Sequence, residues 1–433
     1  MAGTACTLST DHDATPLEFR ANPGPVVTHA TVGAGITCAT TEDGELQCWG
    51  RNERGQLGHG NLETIGDDEF PADADPIALS GPVVEIRTNG AQTFARLADG
   101  TIHAWGQNDA AQLGLLHTMD LGDDETPATA SEPTAVDLGG VATALAVGAS
   151  FACALRADAA VLCWGAGNHG QLGLGNIARV GDDETPQGAG TLLLGAPVVG
   201  LTAGADHACA LLDSGQIRCW GANDYGQLGL GHTDPIGDDE TPDQVAPVAL
   251  GQDAVEVVAG GHHTCARLNS GAIRCWGQGT QGALGLGTTD HVGDDEHPHE
   301  VDAVPVGVTV GGTVVELGAG AAHTCARLDT GAVRCWGANT KGQLGYGHTQ
   351  TLGAGQPLAD DGDLDLGGTL AIALVTGPTA DHTCVRTSDD ALRCWGDNNH
   401  GQLGLAHVEL FGDDPNEAPG DLPNIVVLMD DEI

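Results

Sequence analysis

Lysine is almost absent from this 433-residue chain. Lys341 is the only one, and the 15 basic residues face 60 Asp and Glu, a formal net charge of −45. So little positive charge excludes nucleic-acid or membrane binding through a basic patch, because the surface repels phosphate backbones and anionic lipids. It suits cationic partners, divalent ions or a saline medium. No apolar run reaches the ~18–20 residues that a spanning helix needs, so no transmembrane segment is expected. Residues 1–20 lack the basic and apolar parts of a signal peptide; in an exported protein such a signal is expected to have been trimmed away. The 67 glycines follow no three-residue period, which excludes collagen. There is no G-x-S-x-G, no H-E-x-x-H and no phosphate loop, and the "GLG" fragments belong to a repeat rather than to a nucleotide-binding unit.

What the chain has is one phrase written seven times. All seven tryptophans precede a glycine: Trp49, Trp105, Trp164, Trp220, Trp276, Trp336 and Trp395. Each Trp-Gly is followed by a version of G-Q-L-G, beginning at Gly55, Ala111, Gly170, Gly226, Gly282, Gly342 and Gly401. A fixed period of this kind signals a repeat architecture. Within residues 304–337, "VPVGVTV", "TVVELGAG", "HTCARL" and "AVRCWG" alternate like strands, with "GG" and "DTG" as turns. The expected fold is all-β: a seven-bladed β-propeller of four-stranded antiparallel blades over residues 24–433, after a flexible polar lead-in at 1–23. Small residues such as Gly318-Ala319-Gly320 fit the crowded hub. The first unit lacks a convincing first strand, and "NIVVL" at 424–428 is left over. That strand is expected to pair into the first blade and close the ring; the alternative is that it completes the seventh.

Six cysteine pairs share a spacing of ten: Cys38 with Cys48, Cys153 with Cys163, Cys209 with Cys219, Cys265 with Cys275, Cys325 with Cys335 and Cys384 with Cys394. A hairpin turning midway places residues i and i+10 opposite each other, within disulfide reach. In the second unit both cysteines are missing together, replaced by Phe94 and Ala104, as a bonded pair would be. Disulfides are therefore expected, and with them an oxidising location: extracellular, cell surface or periplasm. The competing reading is twelve free thiols in the core. Cys6 is left over, as a free thiol, an intermolecular link or a lipid anchor; "GTAC" matches a lipoprotein cleavage site poorly.

The phrase H-T-C-A-R-L-D-T-G-x-V-R-C-W-G-x-N-x-x-G-Q-L-G resembles the regulator of chromosome condensation repeat. The resemblance covers about residues 24–433 and implies a seven-bladed propeller. The family includes a nuclear exchange factor for a small GTPase, a plant ultraviolet sensor and a secreted bacterial inhibitor of β-lactamases. Fold alone does not choose among such roles.

A second recurring phrase, such as "IGDDETP" at 236–242, supplies acidic triads: Asp67, Asp68 and Glu69; Asp123, Asp124 and Glu125; Asp182, Asp183 and Glu184; Asp238, Asp239 and Glu240; Asp294, Asp295 and Glu296. "FGDDP" at 411–415 is a shorter copy, and the sixth unit has "LGAGQP" instead. Three readings compete: turn chemistry, calcium binding, and docking of a cationic partner. His207, His263, His323 and His382 each stand two residues before a cysteine, where other units hold Ile36, Gln92 and Phe151. Such a position calls for a structural, hydrogen-bonded histidine. Nine arginines (Arg96, Arg156, Arg218, Arg267, Arg274, Arg327, Arg334, Arg386 and Arg393) lie in the hairpins and are expected to pair with acidic neighbours on adjacent strands.

With no catalytic residues to name, the expected function is a secreted or surface-displayed, non-enzymatic binding propeller that engages a protein or other extracellular ligand through one face, with calcium the only cofactor considered. The first alternative is a propeller lyase or hydrolase acting on polysaccharide at a hub pocket. The second, disfavoured by the charge and the cysteines, is a guanine-nucleotide exchange factor.

Overall fold

The phrase around each cysteine pair folds as a three-stranded antiparallel sheet, and the sheet recurs seven times. The computed structural model describes residues 25–427 apart from 131–133, 306–311, 356–357, 359–361 and 426. The expected lead-in and Cys6 lie outside these residues. The sheets span 27–50, 83–106, 142–165, 198–221, 254–277, 314–337 and 371–396. In the fourth, the inner strand is Val198–Ala203, the middle His207–Leu212 and the outer Ile217–Gly221. Each inner strand carries an irregularity after its first residue, as between Val198 and Gly200, which adds local twist. The seven inner strands surround a central cavity of about 260 Å³, lined by residues such as Thr31, Thr88, Thr202 and Val258. Among the described residues, helix is limited to Pro186–Ala189 and three single 3₁₀ turns.

Neighbouring blades are joined by one repeated contact. Each tryptophan is buried, and its indole N–H donates to the main-chain carbonyl inside the preceding blade's G-Q-L-G turn. Trp105 reaches Gln56 O at 3.0 Å, Trp276 reaches Gln227 O at 2.9 Å and Trp336 reaches Ala283 O at 2.8 Å. Burying an indole removes about 200 Å² from water, worth roughly 5 kcal/mol at ~25 cal/mol/Å². The last glycine of each turn lies under that ring. A Cβ on Gly58 would sit 2.8 Å from Trp105 Nε1, and φ there is +81°. Both the backbone conformation and the close approach require glycine.

The ring closes through the same contact. Trp49 in the first sheet donates to Gln402 O at 3.0 Å, and a Cβ on Gly404 would meet Trp49 at 2.9 Å. Thr37 adds hydrogen bonds to Gln402 O and His382, each 2.8 Å. The described part of the C-terminal segment flanks this joint, since a Cβ on Gly404 would also meet Ile425 at 3.2 Å. Ile425 donates to Leu392 O, so this part lies along the outer strand of the seventh sheet.

The phase of the unit also differs from expectation. Val304, at the head of "VPVGVTV", bridges Ile273 on the outer strand of the preceding sheet. Equivalent bonds run from Ile77 to Leu46, Leu192 to Val161, Val248 to Ile217 and Leu364 to Val333. Among the described residues, the head of each such segment thus meets the outer strand of the sheet before it through a bridge or hydrogen bond. This is why the first unit lacks a first strand and a strand is left over at the end.

Disulfides join all six cysteine pairs, as the spacing predicts. Cys38 bonds Cys48 and Cys153 bonds Cys163; Cys209 bonds Cys219 and Cys265 bonds Cys275; Cys325 bonds Cys335 and Cys384 bonds Cys394. The Cα–Cα distances are 4.0–4.1 Å. This is shorter than the ~4.5 Å of an ordinary non-hydrogen-bonded pair, so each bond draws its two strands together. The partners are directly opposite in register: Cys48 faces Cys38, Cys163 faces Cys153, Cys219 faces Cys209, Cys275 faces Cys265, Cys335 faces Cys325 and Cys394 faces Cys384. The reading of twelve free thiols is thereby set aside. Phe94 and Ala104 occupy the same opposed positions in the second sheet, and Phe94 packs edge-on against Trp164 at 6.0 Å. The bonds are compatible with an oxidising compartment.

Two substitutions test the blade joint. Gly229→Ala inside the ring and Gly404→Ala at the seam both have φ +70° and a Cβ 2.9 Å from an indole nitrogen. Each is expected to cost about 2–4 kcal/mol, read as equal losses in Tm. Gly190→Ala, with φ +103° but open space, should lose about 1 kcal/mol.

Candidate functional site

The acidic loops share one end of the blades. Each begins after a residue that bridges the last residue of the outer strand, as Ile65 does Gly50 and Ile236 does Gly221. Its glycine then lies on the G-Q-L-G turn of the preceding blade; a Cβ on Gly237 would approach Gly170 O at 2.3 Å. In five loops the three acidic side chains come together, with one carboxylate oxygen from each within 4.8 Å of the others. Each triad stays on its own blade. Glu69, Glu125, Glu240 and Glu296 are pushed up to about 7, first by partial burial and then by the hydrogen bond and repulsion of the adjacent Asp. Glu184 is raised for the same reasons. In the seventh loop Glu417 accepts from the N–H groups of Gly412 and Asp414 at 3.1 and 3.3 Å. These carboxylates therefore serve the turn and also leave like charges crowded. The oxygens are hard donors of the type calcium takes, though three per loop fall short of its usual six to eight.

The four histidines belong to the joint between blades. His207 Nε2 lies 2.9 Å from Thr264 Oγ1 on the next blade, His263 2.8 Å from Thr324, His323 2.8 Å from Thr383 and His382 2.8 Å from Thr37. Each threonine hydroxyl donates its hydrogen to the preceding blade's turn carbonyl, as Thr264 does to Gln227 O at 3.0 Å. The hydroxyl oxygen must then accept, which fixes the histidine as the neutral Nε2–H tautomer. Burial holds His207, His263 and His323 down to about 3 and His382 to about 4. Where a blade presents Gln92 or Phe151, the next blade has Ala152 or Ala208 instead of threonine. The small residues noted in the sequence have a local cause here: a Cβ on Gly204, Gly260 or Gly320 would strike the histidine ring of the same blade within 2.1 Å.

The arginines divide. Arg96, Arg267 and Arg327 pair with Glu85, Glu256 and Glu316 on the neighbouring strand at 2.6–2.8 Å. Arg334 pairs with Asp363 at 2.7 Å, Arg393 with Asp389 at 3.1 Å, and Arg156 with Asp158. Arg218 and Arg274 depart from expectation: they donate to the main-chain carbonyls of Pro242 and Pro298, at 2.6 Å each, and so pin the outer loop to the sheet. Carbonyl acceptors leave no mark in a sequence. Arg386 donates to Thr28 O across the seam. The threonine partners of the histidines escape a reading of the sequence too, although the paired changes at Ala152 and Ala208 signal them.

Seven sheets around a central cavity, tied edge to edge by a repeated tryptophan contact, define a β-propeller of the repeat type. The RCC1-like domain matches residues 3–357, and the regulator of chromosome condensation repeat matches 379–402; the chain belongs to this family. It is 30% identical over 368 residues to the ultraviolet-B receptor UVR8 of Arabidopsis thaliana, covering 84% of this chain and 75% of UVR8. It is 29% identical over 371 residues to the human ubiquitin ligase HERC2, covering 85% of this chain but only 7% of HERC2. Among solved structures, human WBSCR16 superposes with a TM-score of 0.65 at 18% identity, over 84% of this chain and 91% of that one. Yeast RCC1 (Prp20), in its complex with Kap60, gives 0.61 at 18%, over 82% and 78%. Among the described residues no helix is long and apolar enough to cross a membrane.

The buried histidines make a pH prediction. Their folded pKa values lie below the unfolded value of 6.5. The stability they carry is therefore complete above about 6.5 and is lost as pH falls to about 3, or about 4 for His382, because the unfolded chain takes up protons first. At about pH 5 the loss is roughly 2 kcal/mol per histidine. The raised glutamates act oppositely but are mostly solvated. Thermal melts should show Tm falling steeply from pH 6.5 to 4. A variant with His207, His263, His323 and His382 all replaced by Gln should show a much flatter profile.

Proposed function

We propose that this chain is a secreted or cell-surface interaction propeller without catalytic activity, and that the end of the ring carrying the acidic loops is its binding face for a cationic protein. The observation that carries this reading is the same carboxylate triad, at the same place, on five blades. Six disulfides support an oxidising compartment. A net charge of −45 supports electrostatic steering of a positive partner. The family supports protein interaction as the mode of action: the yeast relative was solved with Kap60 bound. Exchange-factor activity remains the disfavoured alternative, and a hub-centred polysaccharide enzyme is a further one.

Capture of surface or secreted proteins on the immobilised domain tests this reading. The specific partner should be lost at high salt, and lost at any salt from a variant whose five triads are changed to Asn-Asn-Gln. Retention by that variant would overturn the choice of face.

The same triads support a second reading, calcium at each loop. Calorimetry with calcium on the wild type and on Asp238→Asn/Asp239→Asn is expected to show one fewer site in the variant and a calcium-dependent rise in Tm. Absence of both heat and Tm shift removes calcium from the picture.

A further inference from the structure

The inner and middle strands of each blade carry one opposed pair whose identity varies around the ring. In chain order His29 faces Thr40, Glu85 faces Arg96, Ala144 faces Leu155, Gly200 faces Leu211, Glu256 faces Arg267, Glu316 faces Arg327 and Ala373 faces Arg386. Three blades keep both charges. Blades one, three and four carry neither the glutamate nor the arginine, as joint loss of an ion pair requires. The seventh alone keeps the arginine and lacks the acid. Among the described residues no carboxylate lies within ion-pair distance of Arg386, and Asp390 and Glu316 act on it only at longer range.

The intact pairs show what is missing. Glu316 gives one oxygen to Arg327 at 2.6 Å, and its other oxygen accepts the Leu374 N–H of the next blade at 3.2 Å. Glu256 bridges Arg267 and the Leu317 N–H in the same way, at 2.8 and 3.2 Å. A glutamate at 373 would have bridged Arg386 and the N–H of Ala30. Instead a cavity of about 350 Å³ opens there, lined by Ala30, Ala373 and Arg386 together with His29, Arg87 and Arg96. Arg87 breaks the repeat as well. Its equivalents on the other inner strands are Thr31, Ala146, Thr202, Val258, Gly318 and Val375, all uncharged. Glu85, bound by both Arg87 and Arg96 at 3.1 and 2.8 Å, is the one acid in the lining. Three guanidinium groups against one carboxylate leave a local excess of positive charge in a chain that is otherwise strongly negative.

We propose that this cavity binds a small organic carboxylate, whose oxygens take the place between Arg386 and the Ala30 N–H that a glutamate takes in blades two, five and six, with Arg87 as a second cation. Guanidinium groups favour planar, bidentate carboxylates, and the volume suits a metabolite-sized ligand. The site is separate from the acidic loops and does not depend on the partner they bind.

Calorimetry with succinate, at about 0.15 M salt where the bulk charge is screened beyond ~8 Å, provides the test. The wild type should bind one equivalent saturably, and the uncharged isostere 1,4-butanediol should not bind. Arg87→Gln should weaken binding by at least about tenfold, the loss expected for one charge-assisted contact. Ala373→Glu, which restores the internal partner, should abolish binding while keeping or raising Tm. No saturable heat in the wild type, equal binding of the diol, or undiminished binding by a folded Ala373→Glu would each overturn the proposal.

Discussion

An indole N–H donating to one main-chain carbonyl, over a glycine that leaves room for the ring, holds this molecule together. The carbonyl has two lone pairs, and in the blades that carry threonine the second is used by a hydroxyl from the same neighbour. Gln227 O, for instance, accepts from Trp276 and Thr264 together. The geometry of one turn therefore sets the position of the next blade. The repeat is strict where it serves that joint: tryptophan throughout, glycine under the ring, and glutamine in all copies but Ala283. It is loose elsewhere, because a side chain on the blade edge answers only to solvent.

Charge is organised around the same joint. The histidines that extend it are buried and neutral, so they stiffen contacts between blades at neutral pH and oppose folding in acid. The glutamates on the loops are raised first by partial burial and then by the adjacent Asp, to about 7 for Glu69, Glu125, Glu240 and Glu296. Two titrating systems of opposite sense thus operate in neighbouring layers, and the ring is best held where the histidines have lost their protons and the carboxylates have not yet all ionised.

Much of this was legible in the sequence because spacing fixes register. Cysteines ten apart across a tight hairpin turn are placed opposite each other, and the joint replacement by Phe94 and Ala104 marked a pair. The strand phase was not legible. "VPVGVTV" alternates as well as any strand, and nothing local says whether such a segment heads its own sheet or lies outside the previous one. The loop triads were found as residues, but their clustering depends on backbone turns. The cavity beside Arg386 was invisible until the opposed pairs could be aligned blade by blade, since Ala373 is unremarkable except for what stands across from it.

The seam between Trp49 and Gln402 repeats the indole contact of the other junctions. Many closed β-folds exchange a strand between their two ends, which makes the termini part of the fastening. Here the seam uses the indole contact made inside the ring, and Ile425 packs beside the same glycine, Gly404. A circular permutant opened between any two blades would face the same seven junctions, and insertion or loss of a whole unit would present each new neighbour with a socket it already fits. The size of the ring is then limited by the angle between blades, not by where the polypeptide starts.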